Sequence, residues 1–405
     1  MLSQENSASA GKRLSFFVDH IFRTGIDGEV YTMGGKFPAV GWRSYLKVFE
    51  HLTVVSRVMP IEDASTLSIS SAPSVDFVAS SPHRGVKRLF DLSANRKIVR
   101  GIVQRSDAVV ARLPSELGLL ACQAAHEMKK PLLIEMVACP WDSLWNRGSW
   151  ASRAYAPILK VRTKLAVQRA PIVRYVTANF LQDRYPTEGK VFVASNVELT
   201  DNYMLHAERT PPNAKRRVVF GTIGSLNTRL KGIHSAIEAL RILRQRRPSL
   251  TFEYRVLGEG HFDGVLEDQE SDLIKFEGTL PGGKPILDWL EGIDIYLQPS
   301  FQEGLPRSLI EALSRGCICV GSTAGGIPEL LGPERLHTPG NPQELADKID
   351  AVLREDEKNL IGEIKQNLTI ASRYTSDRLM AVRVQSLQAL RDLTHRSEGK
   401  NTDES

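Results

Sequence analysis

From Val218 to Leu353 the chain alternates short, unbroken apolar runs with segments of helical period, a rhythm that few architectures accept. The runs VVFGTIG, FEYRVLG, LIKFEG, IDIYLQPS and CICVGS have strand length and are apolar without alternation, as strands covered on both faces must be. Between and after them lie a helix from about Lys231 with Ile233, Ile237 and Leu240 on one face, a short helix near DWLEG, a helix from about Leu305 and the helix PQELADKIDAVL. This βαβα order predicts a parallel, doubly wound sheet, and in such sheets ligands sit at the carboxyl ends of the strands.

The first half repeats the theme less regularly. LSFFVDHIF, HLTVVSRV, SVDFVAS, DAVVARL, KPLLIEMVA and KVFVAS read as strands separated by helix- or loop-sized segments, so a second doubly wound domain is the economical expectation. The polar stretch TDNYMLHAERTPPNAKRR, with Pro211-Pro212, reads as the linker. The predicted organisation is therefore an α/β fold with one domain over 13–200, a second over 215–370 and a closing helix within 371–395. Two doubly wound domains facing across a cleft would hold a ligand between their strand ends. The tail HRSEGKNTDES is expected to be disordered.

Composition excludes several classes. With 405 residues, 42% of them hydrophobic and 24% charged, the chain has the make-up of a packed globular protein. Four cysteines (Cys122, Cys139, Cys317, Cys319) make no disulfide framework and no C-x-x-C pair, which fits a reducing compartment. MLSQENSASAGK lacks the basic start and apolar stretch of a signal peptide, and the longest apolar runs fall short of the ~18 residues of a membrane helix. A cytoplasmic protein is expected. Residues 1–200 hold 26 Lys and Arg against 17 Asp and Glu, while residues 201–405 hold 26 against 30, so the basic surplus lies wholly in the first half. No DNA-reading helix, zinc finger or aromatic RNA-binding motif accompanies it, which disfavours nucleic acid and leaves an anionic membrane surface as a partner that charge alone would suit. No D-x-D triplet and no His or carboxylate cluster with metal spacing occurs, so neither a metal nor any other cofactor is expected.

The segment QPSFQEGLPRSLIEALSRG carries the most chemistry. Glu303 follows a strand-like run directly, and Glu311 comes eight positions later inside a helix with Pro306 in its first turn. The free amides of that helix start would point toward the strand ends, where an anion belongs. EGLPRSLIE, followed by ALSRGCICVGSTAGGIPEL and preceded by RLKGIHSAIEAL, RVLGEG, FEGTLP and IDIYLQPS, resembles the nucleotide-binding half of the retaining GT-B glycosyltransferases of family four, whose mark is Glu-x7-Glu. The six ordered motifs cover about a third of the chain.

The resemblance implies roles. Glu311 would accept hydrogen bonds from the ribose hydroxyls of a nucleotide-sugar donor, and Glu303 would touch hydroxyls of the transferred sugar and hold the positive charge that develops on it. Lys231 would meet the donor diphosphate, with the backbone N–H groups of Gly304 and Leu305 on the same phosphates, while Gly278 and Thr279 would line the base pocket. Where the family often has arginine after the glycine of the first strand-end turn, Ser225 follows Gly224, and Arg229 is the nearest substitute cation; Arg307 has no clear assignment. The glycine-rich GEGHFDG around Gly258 reads as a structural turn. In the first half, YTMGGKFPAVGW resembles the opening region of transferases that build bacterial surface polysaccharides, placing Gly34 and Gly35 where an acceptor loop would approach. Asp142, beside Trp141 and Trp145 after the strand KPLLIEMV, is a second acceptor candidate.

The implied reaction is retaining transfer of a sugar from a nucleotide-sugar to a glycan, carried on a polyprenyl diphosphate lipid at the inner membrane face, with the closing helix returning to the first domain. Two rivals are a nucleotide-sugar epimerase on the same fold, for which no His-rich acid/base set is evident, and a non-enzymatic glycan-binding protein, against which the intact Glu303, Glu311 and Lys231 argue.

Overall fold

The computed structural model describes residues 13–33, 36–65, 67–81, 88–146, 149–197, 199, 209–266 and 270–402. They form two compact units. The first takes the described residues up to Trp141, then Ala154–Ala194 and those from Met380 on; the second takes Asp142–Arg153 and Ser195–Leu379.

In the first unit seven parallel strands run in the spatial order β5 (Val75–Ser80), β3 (His51–Pro60), β1 (Arg13–Thr24), β6 (Ala108–Leu113), β7 (Leu132–Met136), β8 (Ile172–Tyr175) and β9 (Lys190–Val193). Two short strands, β2 (Val30–Thr32) and β4 (Ser68–Ile69), add antiparallel pairs beyond the far end of β1. Six of these strands are the ones the apolar runs predict. The seventh, β8, escapes prediction because Arg174 interrupts its short run.

Arg174 is tolerable there only because of its neighbours. Arg112 on β6, Glu135 on β7 and Arg174 on β8 stand in direct register across three adjacent strands. Glu135, 3% exposed, pairs with the Arg174 guanidinium, accepts from the Tyr45 hydroxyl and takes a third bond from Arg112 at 3.2 Å. Burial pushes the Glu135 carboxyl up, and Arg174, Arg112 and the Tyr45 hydroxyl together outweigh it, leaving the group below the usual carboxylate range. Arg174 also donates to Ser386 Oγ at 2.8 Å, which fastens the last helix, Ser376–Thr402, to this sheet while its Leu387 and Leu390 enter the core beside Phe16 and Trp42. Glu135→Ala is therefore expected to cost ~3–5 kcal/mol in the unfolding transition of the first unit, because it leaves a buried guanidinium uncompensated. Urea denaturation at pH 7 measures it. The last helix also continues through Thr402, where the tail was expected to lose order; no proline interrupts it.

The second unit is a six-stranded, wholly parallel sheet in the order β12 (Ile274–Phe276), β11 (Phe252–Leu257), β10 (Val218–Ile223), β13 (Ile295–Gln298), β14 (Ile318–Ser322) and β15 (Leu336–His337). Helix Ile233–Arg246 buries Ile233, Ala236, Ile237, Leu240 and Leu243 against it, a spacing of three and four residues that puts one apolar face on the sheet. The direction in which successive strands are added reverses between β10 and β13. That reversal is the topological switch point, where helices leave opposite faces and a crevice opens at the strand ends.

Candidate functional site

Two loops flank the switch point: residues 224–232 leave β10, and residues 299–306 leave β13. They touch. The Phe301 N–H donates to Leu230 O at 2.8 Å, and Gly232, at φ +69°, lies so close to Pro299 that a Cβ would fall 1.9 Å from its carbonyl oxygen. No side chain fits that pinch, and an L residue would resist the left-handed backbone as well. Lys231, in a 3-10 turn just before helix Ile233–Arg246, is thereby aimed across the crevice. Gly224 leaves room for its stem, since a Cβ there would meet Lys231 Cγ at 2.7 Å.

The Lys231 ammonium reaches Glu303 Oε1 at 2.7 Å. The same oxygen accepts from Gln298 Nε2 at 3.0 Å and from the Ser300 hydroxyl at 2.8 Å. Behind Gln298 the chain continues inward: its Oε1 accepts from Ser308 Oγ at 3.0 Å and from the Tyr296 hydroxyl at 3.2 Å, and that hydroxyl accepts from the Ile223 N–H. Glu303 is thus a carboxylate fixed by one cation and two neutral donors, all converging on one of its two oxygens. Sequence reasoning assigned no role to Gln298, Ser300 or Ser308. A signal existed in the polar Gln298 ending an otherwise apolar buried strand.

Glu311 sits in helix Arg307–Ser314, which starts one residue after Pro306 and not within a turn that includes it; the proline's fixed, extended backbone leads into the helix. The Glu311 carboxylate receives no hydrogen bond or ion pair from the described residues. Burial pushes its pKa up to about 7 against a small opposing pull from Arg307. A partly buried carboxylate without a donor is an acceptor awaiting one. At the head of the same helix the Gly304 and Leu305 N–H groups donate to none of the described residues, while Gly304 O is held by Gly326 N–H at 2.7 Å.

The remaining donor-side candidates line the ends of three neighbouring strands. Gly224 N–H donates to Leu257 O at 2.9 Å, Leu226 N–H to Glu259 O at 2.8 Å and Gly258 N–H to Gly278 O at 2.6 Å, so the turns after β10, β11 and β12 are stitched edge to edge. Gly278 and the exposed Thr279 follow β12 after Glu277. Ser225 Oγ accepts from the Asn227 N–H at 3.3 Å within its own loop. Arg229 is drawn aside to Asp263 at 3.4 Å, and Asp263 also holds His234 at 2.6 Å, so this cation is engaged by a carboxylate.

The acceptor candidates fare differently. Gly34 and Gly35 lie outside the described residues, as does the first half of the proposed linker. Asp142 stands in the first turn of helix Pro140–Trp145. Its neighbours Ser143 and Asn146 bond the Glu303 loop from the side, Ser143 accepting from Gln302 Nε2 at 2.8 Å and Asn146 donating to Phe301 O at 3.2 Å. Trp145 is 42% exposed with Arg153 above it, and Trp141 carries the Lys160 ammonium at 5.3 Å. No group of three His, Cys, Asp or Glu among the described residues is placed to hold a metal ion.

Comparison with known proteins agrees with the fold. Residues 217–355 match the family model described as Glycosyl transferases group 1. The chain is 26% identical over 348 residues to Protein CapJ of Staphylococcus aureus, a match spanning 81% of this chain and 86% of that protein. It is 30% identical over 153 residues to the putative colanic acid biosynthesis glycosyltransferase WcaL of Escherichia coli, but this covers only 34% of the chain and 37% of that relative. Among solved structures, Anabaena HepE in complex with UDP-glucose superposes with a TM-score of 0.58 over 93% of this chain and 99% of that one, at 18% identity. Residues 217–355, which contain both loops of the switch point, are thus similar to group 1 glycosyltransferases, and the chain has the two-domain α/β fold of the GT-B type.

Proposed function

We propose that the protein transfers a sugar from a nucleotide-sugar donor, with retention of anomeric configuration, to a glycan carried on a polyprenyl diphosphate lipid, in the synthesis of a bacterial surface polysaccharide. The observation that carries this reading is the arrangement at the switch point: a Lys231–Glu303 pair at one edge and, one helix turn system further on, the donor-less carboxylate of Glu311. The similar proteins include a putative colanic acid biosynthesis glycosyltransferase, which supports the product class, and the HepE structure holds UDP-glucose, which supports the donor class.

In this reading the ribose hydroxyls donate to Glu311, the Gly304 and Leu305 amides and Lys231 take the diphosphate, and Glu303 faces the sugar. Lys231 must then exchange Glu303 for the phosphates, or serve both, as negative charge grows on the leaving group. The proposed chemistry draws its positive charge from the chain itself, so activity is expected to persist in excess chelator. A thermal-shift screen against nucleoside diphosphates and nucleotide-sugars tests the donor: a true ligand at a hundred times its dissociation constant should add ~2.7 kcal/mol to stability.

Glu311 gives a sharper test because folding and binding ask opposite things of it. Its pKa of about 7 lies above the ordinary 4.5, so its protonated form is favoured in the folded chain; stability falls as pH rises from 4.5 to about 7 and the full cost persists above. Glu311→Gln is expected to raise stability above pH 7 by ~1–3 kcal/mol while weakening nucleotide binding roughly tenfold, since hydrogen bonds to a charged acceptor are the stronger ones. Melting curves and calorimetric titration on one preparation read both. Unchanged nucleotide affinity would remove Glu311 from the ribose.

A further inference from the structure

We propose that helix Trp150–Gln168 docks the first unit on an anionic lipid surface through the face formed by Ile158, Val161 and Leu165. The proposal goes beyond the reaction and does not depend on it. From Ala154 on, the helix packs Ala156, Leu159, Thr163 and Val167 into the unit. At about 100° per residue these four fall within about 80° of one another around the helix axis. Ile158, Val161 and Leu165 fall within about 60° of one another on the opposite side. They are 53%, 57% and 47% exposed, and together they make a continuous stripe of branched aliphatic side chains on a helix whose other face already supplies the core.

Charge selects the occupant. The sequence WASRAYAPILKVRTKLAVQ contains no Asp and no Glu. Lys164, exposed, borders the stripe on one side and Arg162 borders it on the other, while the exposed Lys160 lies further round, beside the core face. Arg162 and Tyr155 share Glu116 at 2.9 and 2.6 Å, which ties the helix to its neighbour and holds the stripe in a fixed orientation. Lys160 extends over Trp141, and Lys164 has a free stem long enough to keep its ammonium at headgroup level while the stripe dips among acyl chains. Two copies pairing through this stripe would bring cations together with no carboxylate on either helix to answer them. A sheet of lipid phosphates answers the lysines, Arg162 being held by Glu116 already. The surplus of basic residues in the first half of the sequence points the same way, and no helix among the described residues is long and apolar enough to cross a membrane, so contact here would be interfacial.

The test is co-sedimentation of the full chain with vesicles of equimolar phosphatidylglycerol and phosphatidylcholine, against phosphatidylcholine alone, at ~0.1 M salt where the Debye length is about 10 Å. The wild-type protein should bind the anionic vesicles and leave the neutral ones. K164Q should lower partitioning about fivefold, and I158Q/V161Q/L165Q about tenfold or more. Both variants alter exposed positions and should keep the wild-type melting temperature. As a readout that needs no loss of binding, an environment-sensitive dye on Leu165→Cys should shift to the blue with anionic vesicles, while the same dye on Lys358→Cys in the second unit should not. Failure of the wild type to bind, equal binding by both variants, or a dimer in sedimentation velocity that I158Q/V161Q/L165Q converts to monomer would each overturn the proposal.

Discussion

Lys231→Ala is expected to lower turnover by ~10²–10³ while leaving the fold intact, the cost usual for deleting a group that stabilises charge formed in the transition state. The side chain is 31% exposed and adds nothing to the core, so its loss should barely move the melting temperature. Its partner Glu303 would keep the Gln298 and Ser300 donors, which hold the loop in place without the cation. The damage should therefore appear in the chemical step and in diphosphate affinity, not in the unfolding curve. Lys231→Arg is not expected to rescue. The lysine stem runs against Gly224, where a single added carbon would lie 2.7 Å away, and a planar guanidinium cannot take the place of a compact ammonium in that gap. Steady-state rates with the donor identified by the thermal-shift screen decide the matter. Full activity in Lys231→Ala would shift phosphate neutralisation to Arg229, which would first have to leave Asp263.

The second unit was legible because its central strands, β10, β13 and β14, are covered on both faces and must be largely apolar, while glycines mark the turns after several strands. Glu303 and Lys231 could be named from the motifs that hold them, yet nothing in the sequence says that residues 72 positions apart share a hydrogen bond. That fact comes from the strand order: β10 and β13 are neighbours in space and separated in sequence by two strands on the far side. The same limit hid β8. An arginine in a four-residue run reads as a break until Glu135 is known to stand opposite it. It also hid Ser143 and Asn146, whose segment belongs to the second unit although the chain on either side of it belongs to the first. Side chains that act through a tertiary partner leave little trace in local pattern.

Glu303→Gln is expected to separate charge from shape. The carboxylate is only 10% exposed, and one oxygen collects all three donors, so an amide carbonyl can take that place with almost no repacking. What disappears is the negative charge beside the position proposed for the sugar ring. A charge of that kind contributes little to ground-state binding and most when the anomeric carbon turns positive, so turnover should fall by ~10²–10³ as for loss of other preorganised electrostatic groups. Nucleoside diphosphate affinity should hold or rise a few-fold, because Lys231 loses its competing partner. The pattern is the reverse of that expected at Glu311, where nucleotide affinity itself falls. Isothermal titration with the diphosphate, set beside initial rates with the nucleotide-sugar, distinguishes them. A Glu303→Gln enzyme with normal turnover would move the sugar away from this loop. Proton coupling constants of the wild-type product give the remaining arm: an inverted anomer would overturn the retaining assignment and, with it, the need for a carboxylate on this face of the ring.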